Sequence, residues 1–97
     1  MIALTEEERS IVLKILKRFV PDCEVRVFGS RFKGTAREYS DLDLAVCGQE
    51  KQPKGVIDDM RYDFQVSDLP FRVDIMDYHA LSPEFKRIVD REYGVLA

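Results

Sequence analysis

Hydrophobic residues near the start of the chain recur at helical spacing. From Ile11 to Val20 the apolar side chains fall every three or four residues, which predicts a helix with one apolar stripe. Thr5, followed three residues later by Glu8, forms a capping-box pattern before this stripe, and Pro21 follows it. The first predicted element is therefore a capped amphipathic helix.

Three more helical segments are predicted farther along the chain. Residues 31–38 are compact and polar, and we expect them to hold one or two helical turns. Residues 56–66 again carry apolar side chains at helical spacing. A serine cap followed by proline, at Ser82-Pro83, begins a last helix, which Gly94 is predicted to end.

Alternating apolar and polar residues predict three short strands, over residues 23–28, 41–46 and 71–76. The order of elements is helix, strand, short helix, strand, helix, strand, helix. This order predicts an α/β (α+β) fold, with a small mixed sheet of about three strands and helices packed on one face. Because the chain has 97 residues, no internal repeat and no long linker, we expect a single domain over residues 1–97.

Composition and charge narrow the class of protein. The chain is 45% hydrophobic and 34% charged, which excludes a wholly disordered or collagen-like chain. A net charge of −3 argues against independent nucleic-acid binding, which needs a basic face. No apolar run reaches the roughly 20 residues of a membrane span. The first ten residues are acidic where a signal peptide would be basic and then apolar, so we expect a cytoplasmic protein with two structural thiols, Cys23 and Cys47.

The candidate chemistry begins where the first predicted strand ends, at Gly29-Ser30. A strand that turns into a helix there presents free backbone N–H groups and a serine hydroxyl, which suit a phosphate group. Ten residues separate Ser30 from Asp41, and Asp41 and Asp43 occupy alternate positions of the second strand, so that both carboxylates leave the same face. Asp74 lies on the polar face of the third strand and completes an acidic cluster if the two strands are neighbours.

Adjacent carboxylates repel one another unless a cation lies between them or one of them stays protonated. Mg²⁺ is the natural cation, since it is held by a few carboxylates together with substrate phosphates. Three carboxylates facing a phosphate-binding turn are typical of phosphoryl or nucleotidyl transfer.

Taken singly, these features have simpler explanations. Gly29-Ser30 could be only a capped turn, and the aspartates only the solvent face of an edge strand. Asp77 points to the opposite side from Asp74, and the single histidine, His79, is more typical of a surface turn than of a general base.

The combined pattern resembles a known family. Gly29-Ser30, then Asp41-Leu42-Asp43 and a later Asp74, are similar to the nucleotidyltransferase signature of the DNA polymerase β superfamily. The likeness is closer to its short single-domain members, the minimal nucleotidyltransferases (MNT) of bacteria and archaea. It covers about residues 25–46 and the surroundings of Asp74.

The resemblance implies a role for each matching residue. Gly29 and Ser30 contact the terminal phosphates of a nucleoside triphosphate, such as ATP. The catalytic and metal-binding residues are three aspartates, which hold Mg²⁺, with two ions expected: Asp41, Asp43 and Asp74. Asp74 also binds the ion that activates the attacking hydroxyl, and it helps to accept the proton of that hydroxyl. Arg31 and Lys33 are predicted to contact the triphosphate, although both could equally be ordinary solvent-facing charges.

The resemblance also implies a partner. Minimal nucleotidyltransferases are encoded beside a helical HEPN-type protein, and the two form a toxin–antitoxin pair. In that family the antitoxin transfers AMP to a tyrosine of the toxin, and we expect such a hetero-oligomer here. Two alternatives stay open: an antitoxin that acts only by binding and occluding its partner, and a small-molecule (antibiotic) nucleotidyltransferase.

Overall fold

A computed structural model describes residues 2–97, so Met1, the first residue of the predicted domain, lies outside the described residues. Four helices, four strands and a single 3₁₀ turn follow one another along the described chain. In order they are α1 (Glu6–Phe19), β1 (Glu24–Phe28), α2 (Ser30–Lys33), β2 (Leu42–Cys47), α3 (Val56–Gln65), β3 (Val73–Asp77), the 3₁₀ turn (Tyr78–Ala80), α4 (Pro83–Arg91) and β4 (Gly94–Val95).

The strands form one mixed sheet in the order β3-β2-β1-β4. β1 pairs antiparallel with β2 and with β4, whereas β2 and β3 run parallel. The parallel pair is possible because α3 carries the chain back across the sheet between β2 and β3. The predicted α+β class is therefore confirmed, with one strand more than expected.

The predicted start of the first helix is confirmed. The Thr5 hydroxyl accepts a hydrogen bond from the Glu8 amide at 3.1 Å, and the Glu8 carboxylate accepts one from the Thr5 amide at 2.9 Å. This reciprocal pair satisfies two amides that the helix itself leaves free. At the other end of the chain, the Ser82 hydroxyl accepts from the Phe85 amide at 3.2 Å and so caps α4 as predicted.

The main core lies on one face of the sheet, beneath α1 and α3. Alternate strand residues fill it, since successive side chains of a strand point to opposite faces. Its largest fully buried members are Leu16, Leu42, Leu44, Met60 and Ile75. This alternation aims the intervening residues of β2 and β3 at the other face, where the candidate site lies.

The expectation that the helices cover one face only is wrong. A second apolar cluster, formed by Phe28, Ala45 and Val89, packs α4 against the opposite face. Phe28 and Phe85 meet there edge to face, with ring centroids 6.1 Å apart. Alternation alone did not reveal this layer, because the facing residue of β2 is only an alanine. Ile88 of α4 is not part of this cluster, and it is 54% exposed.

Gly94 does not end the last helix, which stops at Arg91. It begins β4 instead, where it pairs with Val27. A Cβ at Gly94 would lie 2.9 Å from the ring of Phe32, so glycine permits the terminal strand to approach α2. A strand of two residues is too short to produce an alternating pattern in the sequence.

Two further findings concern the remaining sequence expectations. None of the helices described in residues 2–97 is long and apolar enough to span a membrane. Both cysteines are free thiols, and Cys23 Sγ accepts a hydrogen bond from Gln52 Nε2 at 3.4 Å.

Candidate active site

The register of the parallel strands brings two predicted site residues side by side. Asp43 of β2 is aligned with Asp74 of β3. Asp41 precedes Asp43 by two positions and lies on the same side, just before β2 begins. The sheet therefore gathers three carboxylates at one end of the β2–β3 pair, as the sequence predicts.

The electrostatics of Asp43 are unfavourable in the absence of a ligand. Partial burial raises the pKa of its carboxyl, and the neighbouring charges of Asp74 and Asp41 raise it further, to about 6. Arg72 opposes this shift only in part. Like charges this close cost free energy, and a bound cation would remove that cost.

Gly29 lies directly against Asp43. The preceding residue, Phe28 of β1, pairs with Asp43 of β2 in the sheet. Gly29 has φ 74° and ψ −157°, a conformation that is essentially restricted to glycine. A Cβ on Gly29 would overlap Asp43 Oδ2, so no other residue leaves room for the carboxylate. We call the segment Gly29-Ser30, which joins β1 to α2, the Gly29 turn.

The structure thus brings together five of the predicted site residues: Gly29, Ser30, Asp41, Asp43 and Asp74. Ser30 is half-buried and begins α2, next to the glycine that contacts Asp43. Strand pairing positions the carboxylates, and the left-handed glycine positions the turn. The arrangement can hold a phosphate group beside a cluster of acidic oxygens.

Arg31 departs from the sequence interpretation. Its side chain is 5% exposed and donates hydrogen bonds to the carbonyls of Ser40, Ala3 and Glu38, at 3.0, 2.7 and 3.1 Å. The guanidinium also lies 3.9 Å from the ring centroid of Phe71. Since these contacts occupy Arg31, the predicted triphosphate contact is corrected to a structural role that ties the chain around α2.

Lys33 is exposed on the last turn of α2, and no contact within residues 2–97 ties it to the aspartates. The prediction of a phosphate contact for Lys33 therefore stays a prediction.

Asp77 and His79 hold the loop after β2. Asp77 accepts hydrogen bonds from the Gln52 and His79 amides, and a His79 ring nitrogen lies 2.6 Å from the Gly48 carbonyl oxygen. These contacts agree with the structural interpretation of both residues.

Arg72 is the site residue that the sequence interpretation missed. Its Nε lies 3.8 Å from Asp41 Oδ2, and its charge lowers the pKa of Asp43. The signal was available, because Arg72 and Asp74 are two positions apart and so point to the same side of an extended segment.

The aspartates do not form a closed cation cage. Within residues 2–97, no three His, Cys, Asp or Glu side chains are arranged to hold one metal ion. Asp41 is half exposed and leans toward Arg72. This open arrangement fits Mg²⁺, which keeps several waters and is commonly bound by one or two carboxylates together with substrate phosphates.

Comparison with known proteins decides the family. The family model described as "Nucleotidyltransferase domain" matches residues 9–96, which include the whole candidate site. The chain belongs to this nucleotidyltransferase family. It is therefore an enzyme of the nucleotidyl-transferring class, and the aspartates and Gly29 turn lie within the matched domain.

Three relatives of this nucleotidyltransferase are informative. The chain is 43% identical over 93 residues to "Probable protein adenylyltransferase MntA" of Haemophilus influenzae, covering 96% of this chain and 82% of that protein. A solved structure described as a minimal nucleotidyltransferase has a TM-score of 0.64 and 34% identity, covering 91% and 88% of the two chains. A third structure, of a tri-AMPylated Shewanella oneidensis HEPN toxin in complex with MNT antitoxin, gives a TM-score of 0.69 at 22% identity, covering 92% and 68%, and so shares the fold.

Replacing Gly29 by alanine should disrupt the nucleotidyltransferase site. The new Cβ would displace the Asp43 carboxylate, and the backbone strain should lower the free energy of unfolding by about 1–3 kcal/mol. Gly34→Ala is the matched control, since Gly34 also has a positive φ but nothing lies within 4 Å of its Cβ position. Urea unfolding and nucleotide binding are measured for both variants. Equal loss of binding in both would contradict the proposed contact between Gly29 and Asp43.

Replacing Arg31 by methionine should destabilise the fold. Three carbonyls lose a charged donor, which should lower the free energy of unfolding by about 3 kcal/mol. Lys33→Met on the same short helix should change it by less than about 0.5 kcal/mol, because Lys33 is exposed. Chemical denaturation checks both values. A similar small change for both variants would show that Arg31 does not hold the chain together.

Asp43→Asn should stabilise the ligand-free protein at neutral pH. The folded state binds the Asp43 proton more tightly than the unfolded state, so folding stability is lost as the pH rises from 3.8 to about 6. The asparagine variant avoids this loss. It should melt roughly 2–5 °C higher than the wild type at pH 7.5, with the difference vanishing near pH 4.

Thermal unfolding followed by circular dichroism tests this, with Asp22→Asn in the exposed α1–β1 turn as the control. Added MgCl₂ should stabilise the wild type more than Asp43→Asn. A lower melting temperature for Asp43→Asn at pH 7.5 would contradict the repulsion assigned to Asp43.

Proposed function

We propose that the chain transfers AMP from ATP to a hydroxyl group of a partner protein, with Mg²⁺ bound by Asp41, Asp43 and Asp74. The observation that carries this proposal is the alignment of Asp43 with Asp74 beneath the Gly29 turn. In this arrangement the negative charges of Asp43 and Asp74 lie beside a backbone turn that is open to a phosphate group. The whole chain is proposed to act as one catalytic domain.

Each residue of the site has a separate role in the proposed reaction. The Gly29 turn orients the terminal phosphates, with the Ser30 hydroxyl as a donor to them. Asp43 and Asp74, assisted by Asp41, hold the ions, and bound Mg²⁺ supplies charge neutralisation and alignment of the phosphate oxygens. Asp74 accepts the proton of the attacking hydroxyl. A new bond forms between the acceptor oxygen and the α-phosphorus, the bond from that phosphorus to the bridging oxygen breaks, and pyrophosphate leaves.

The acceptor is proposed to be a tyrosine of a HEPN-type toxin, which makes the chain an antitoxin. Support comes from the relatives, one of which is named a protein adenylyltransferase and another of which is an MNT antitoxin in complex with an AMPylated HEPN toxin. The net charge of −3 also favours a protein acceptor over a nucleic acid.

A hetero-oligomer with that toxin is consistent with the surface of the chain. Several large hydrophobic side chains are exposed and available to a partner: Tyr39, Tyr62, Val66, Ile88 and Val95. β3 and β4 are the two edges of the sheet, so each leaves one side unpaired by another strand.

Label transfer from α-labelled ATP tests the proposed function. The chain and the product of the adjacent gene are expressed separately and purified, so that the partner is unmodified, and are then mixed and incubated with MgCl₂ and the nucleotide. We expect label on the partner, and a loss on the order of a thousandfold for Asp43→Asn, since that variant removes a central ligand of the reacting phosphates. Asp22→Asn should transfer at the wild-type rate.

Removal of divalent ions with EDTA should abolish transfer, and restored MgCl₂ should recover it. Mass spectrometry of the labelled partner identifies the modified side chain. A stable complex without label, with every nucleoside triphosphate tried, would contradict the enzymatic proposal and favour neutralisation by binding alone.

A further inference from the structure

A cavity of about 490 Å³ opens beside the candidate site, between α3 and the start of β3. Arg61 and Gln65 of α3 line one side, and Leu69 and Arg72 line the other. Asp74 lies at its margin, so the cavity and the acidic cluster share a residue. Its volume falls within the range of about 300–1,000 Å³ that is usual for ligand sites.

The floor of the cavity is apolar and fixed. Phe71 forms part of it and is 8% exposed. The buried guanidinium of Arg31 lies 3.9 Å from the centroid of the Phe71 ring. Because Arg31 is itself hydrogen-bonded to three carbonyls, it holds this floor in place relative to α2 and the Gly29 turn.

Two exposed arginines lie on the rim of the cavity, where Asp74 also contributes a carboxylate. The Arg61 side chain is 52% exposed, and the Arg72 side chain is 76% exposed. Arg61 donates to the Asp58 carboxylate and to the Ile75 carbonyl, which holds it over the edge of β3. An apolar floor beneath two arginines suits an aromatic side chain with a neighbouring negative charge.

The order of the strands determines which reactant can reach this cavity. The Gly29 turn follows β1, Asp43 lies on β2 and Asp74 on β3, and the cavity lies beyond them at the β3 edge. In an in-line displacement the entering and leaving oxygens are on opposite sides of the phosphorus. If pyrophosphate leaves on the side of the Gly29 turn, the acceptor hydroxyl enters from the side of the cavity.

We propose that this cavity is the acceptor subsite and that it receives a tyrosine flanked by acidic residues on the partner protein. The phenol ring packs on Leu69 and Phe71, and the flanking carboxylates pair with Arg61 and Arg72. The phenolic oxygen attacks the α-phosphorus of ATP, its proton passes to Asp74, and pyrophosphate departs. This inference rests on the proposed function and adds to it the sequence preference of the acceptor.

Arg61→Glu tests the subsite, because Arg61 is on the rim and outside the predicted ion-binding residues. The probes are two tyrosine peptides, one with two glutamates on each side of the tyrosine and one with two lysines on each side. With MgATP, the wild type should label the glutamate peptide with a kcat/KM roughly tenfold higher than for the lysine peptide. Arg61→Glu should reverse this preference, mainly through KM.

Arg9→Glu makes the same charge change at an exposed position of α1 that does not line the cavity, and should keep the wild-type preference. Binding of the non-hydrolysable analogue AMP-PNP with Mg²⁺ is measured for each protein and should be equal within about twofold. A loss of AMP-PNP affinity in Arg61→Glu would overturn the inference, because the cavity would then hold the nucleotide.

Equal labelling of both peptides, labelling of neither peptide, or a preference that Arg61→Glu leaves unchanged would also overturn it. If the wild type labels the separately purified partner in these cases, the proposed function stands and only the acceptor subsite fails. If neither the partner nor a peptide is labelled, the proposed function fails as well.

Discussion

The close packing of the Asp43 carboxylate against Gly29, with Asp74 aligned beside it, is the constraint on which the rest of the site depends. At this point the Asp43 carboxyl has a raised pKa, the Gly29 backbone adopts a conformation restricted to glycine, and β2 pairs with the parallel strand β3. Each of these is unfavourable or restrictive for an isolated fold. Together they make a site whose charge is balanced when a cation and a phosphate group are bound, which is the chemistry of nucleotidyl transfer.

The surrounding fold stabilises this site from two sides. The core beneath α1 and α3 fixes the register of β2 and β3 through their alternate apolar residues. On the other face, α4 packs on Phe28, the residue that pairs with Asp43. Arg31 then links α2 to Phe71, so that the Gly29 turn and the cavity beside β3 are held by the same buried side chain. Stability gained in these layers offsets the repulsion retained among the carboxylates.

Much of this architecture could be predicted from the sequence, because the signals are local. The capping box at Thr5, the alternation in β2 and the spacing from Ser30 to Asp41 each depend on near neighbours in the chain. The misses involve distant partners. The sequence does not reveal that Arg31 turns inward to carbonyls as far away as Ala3, that α4 crosses to the other face, or that Gly94 pairs with Val27. A charged residue beside a phosphate-type turn is naturally taken for a ligand, and only tertiary contacts show it to be structural.

The most direct test is a carbon-13 NMR titration of the Asp43 carboxyl, with and without Mg²⁺ and AMP-PNP. In the free protein the carboxyl should titrate with a pKa of about 6, because of its burial and the charges of Asp74 and Asp41. Bound Mg²⁺ should lower that pKa markedly, since its positive charge stabilises the ionised carboxylate and outweighs the opposing negative charge of the nucleotide phosphates. An Asp43 pKa that does not change on their addition would contradict the assignment of this cluster as the ion- and nucleotide-binding centre.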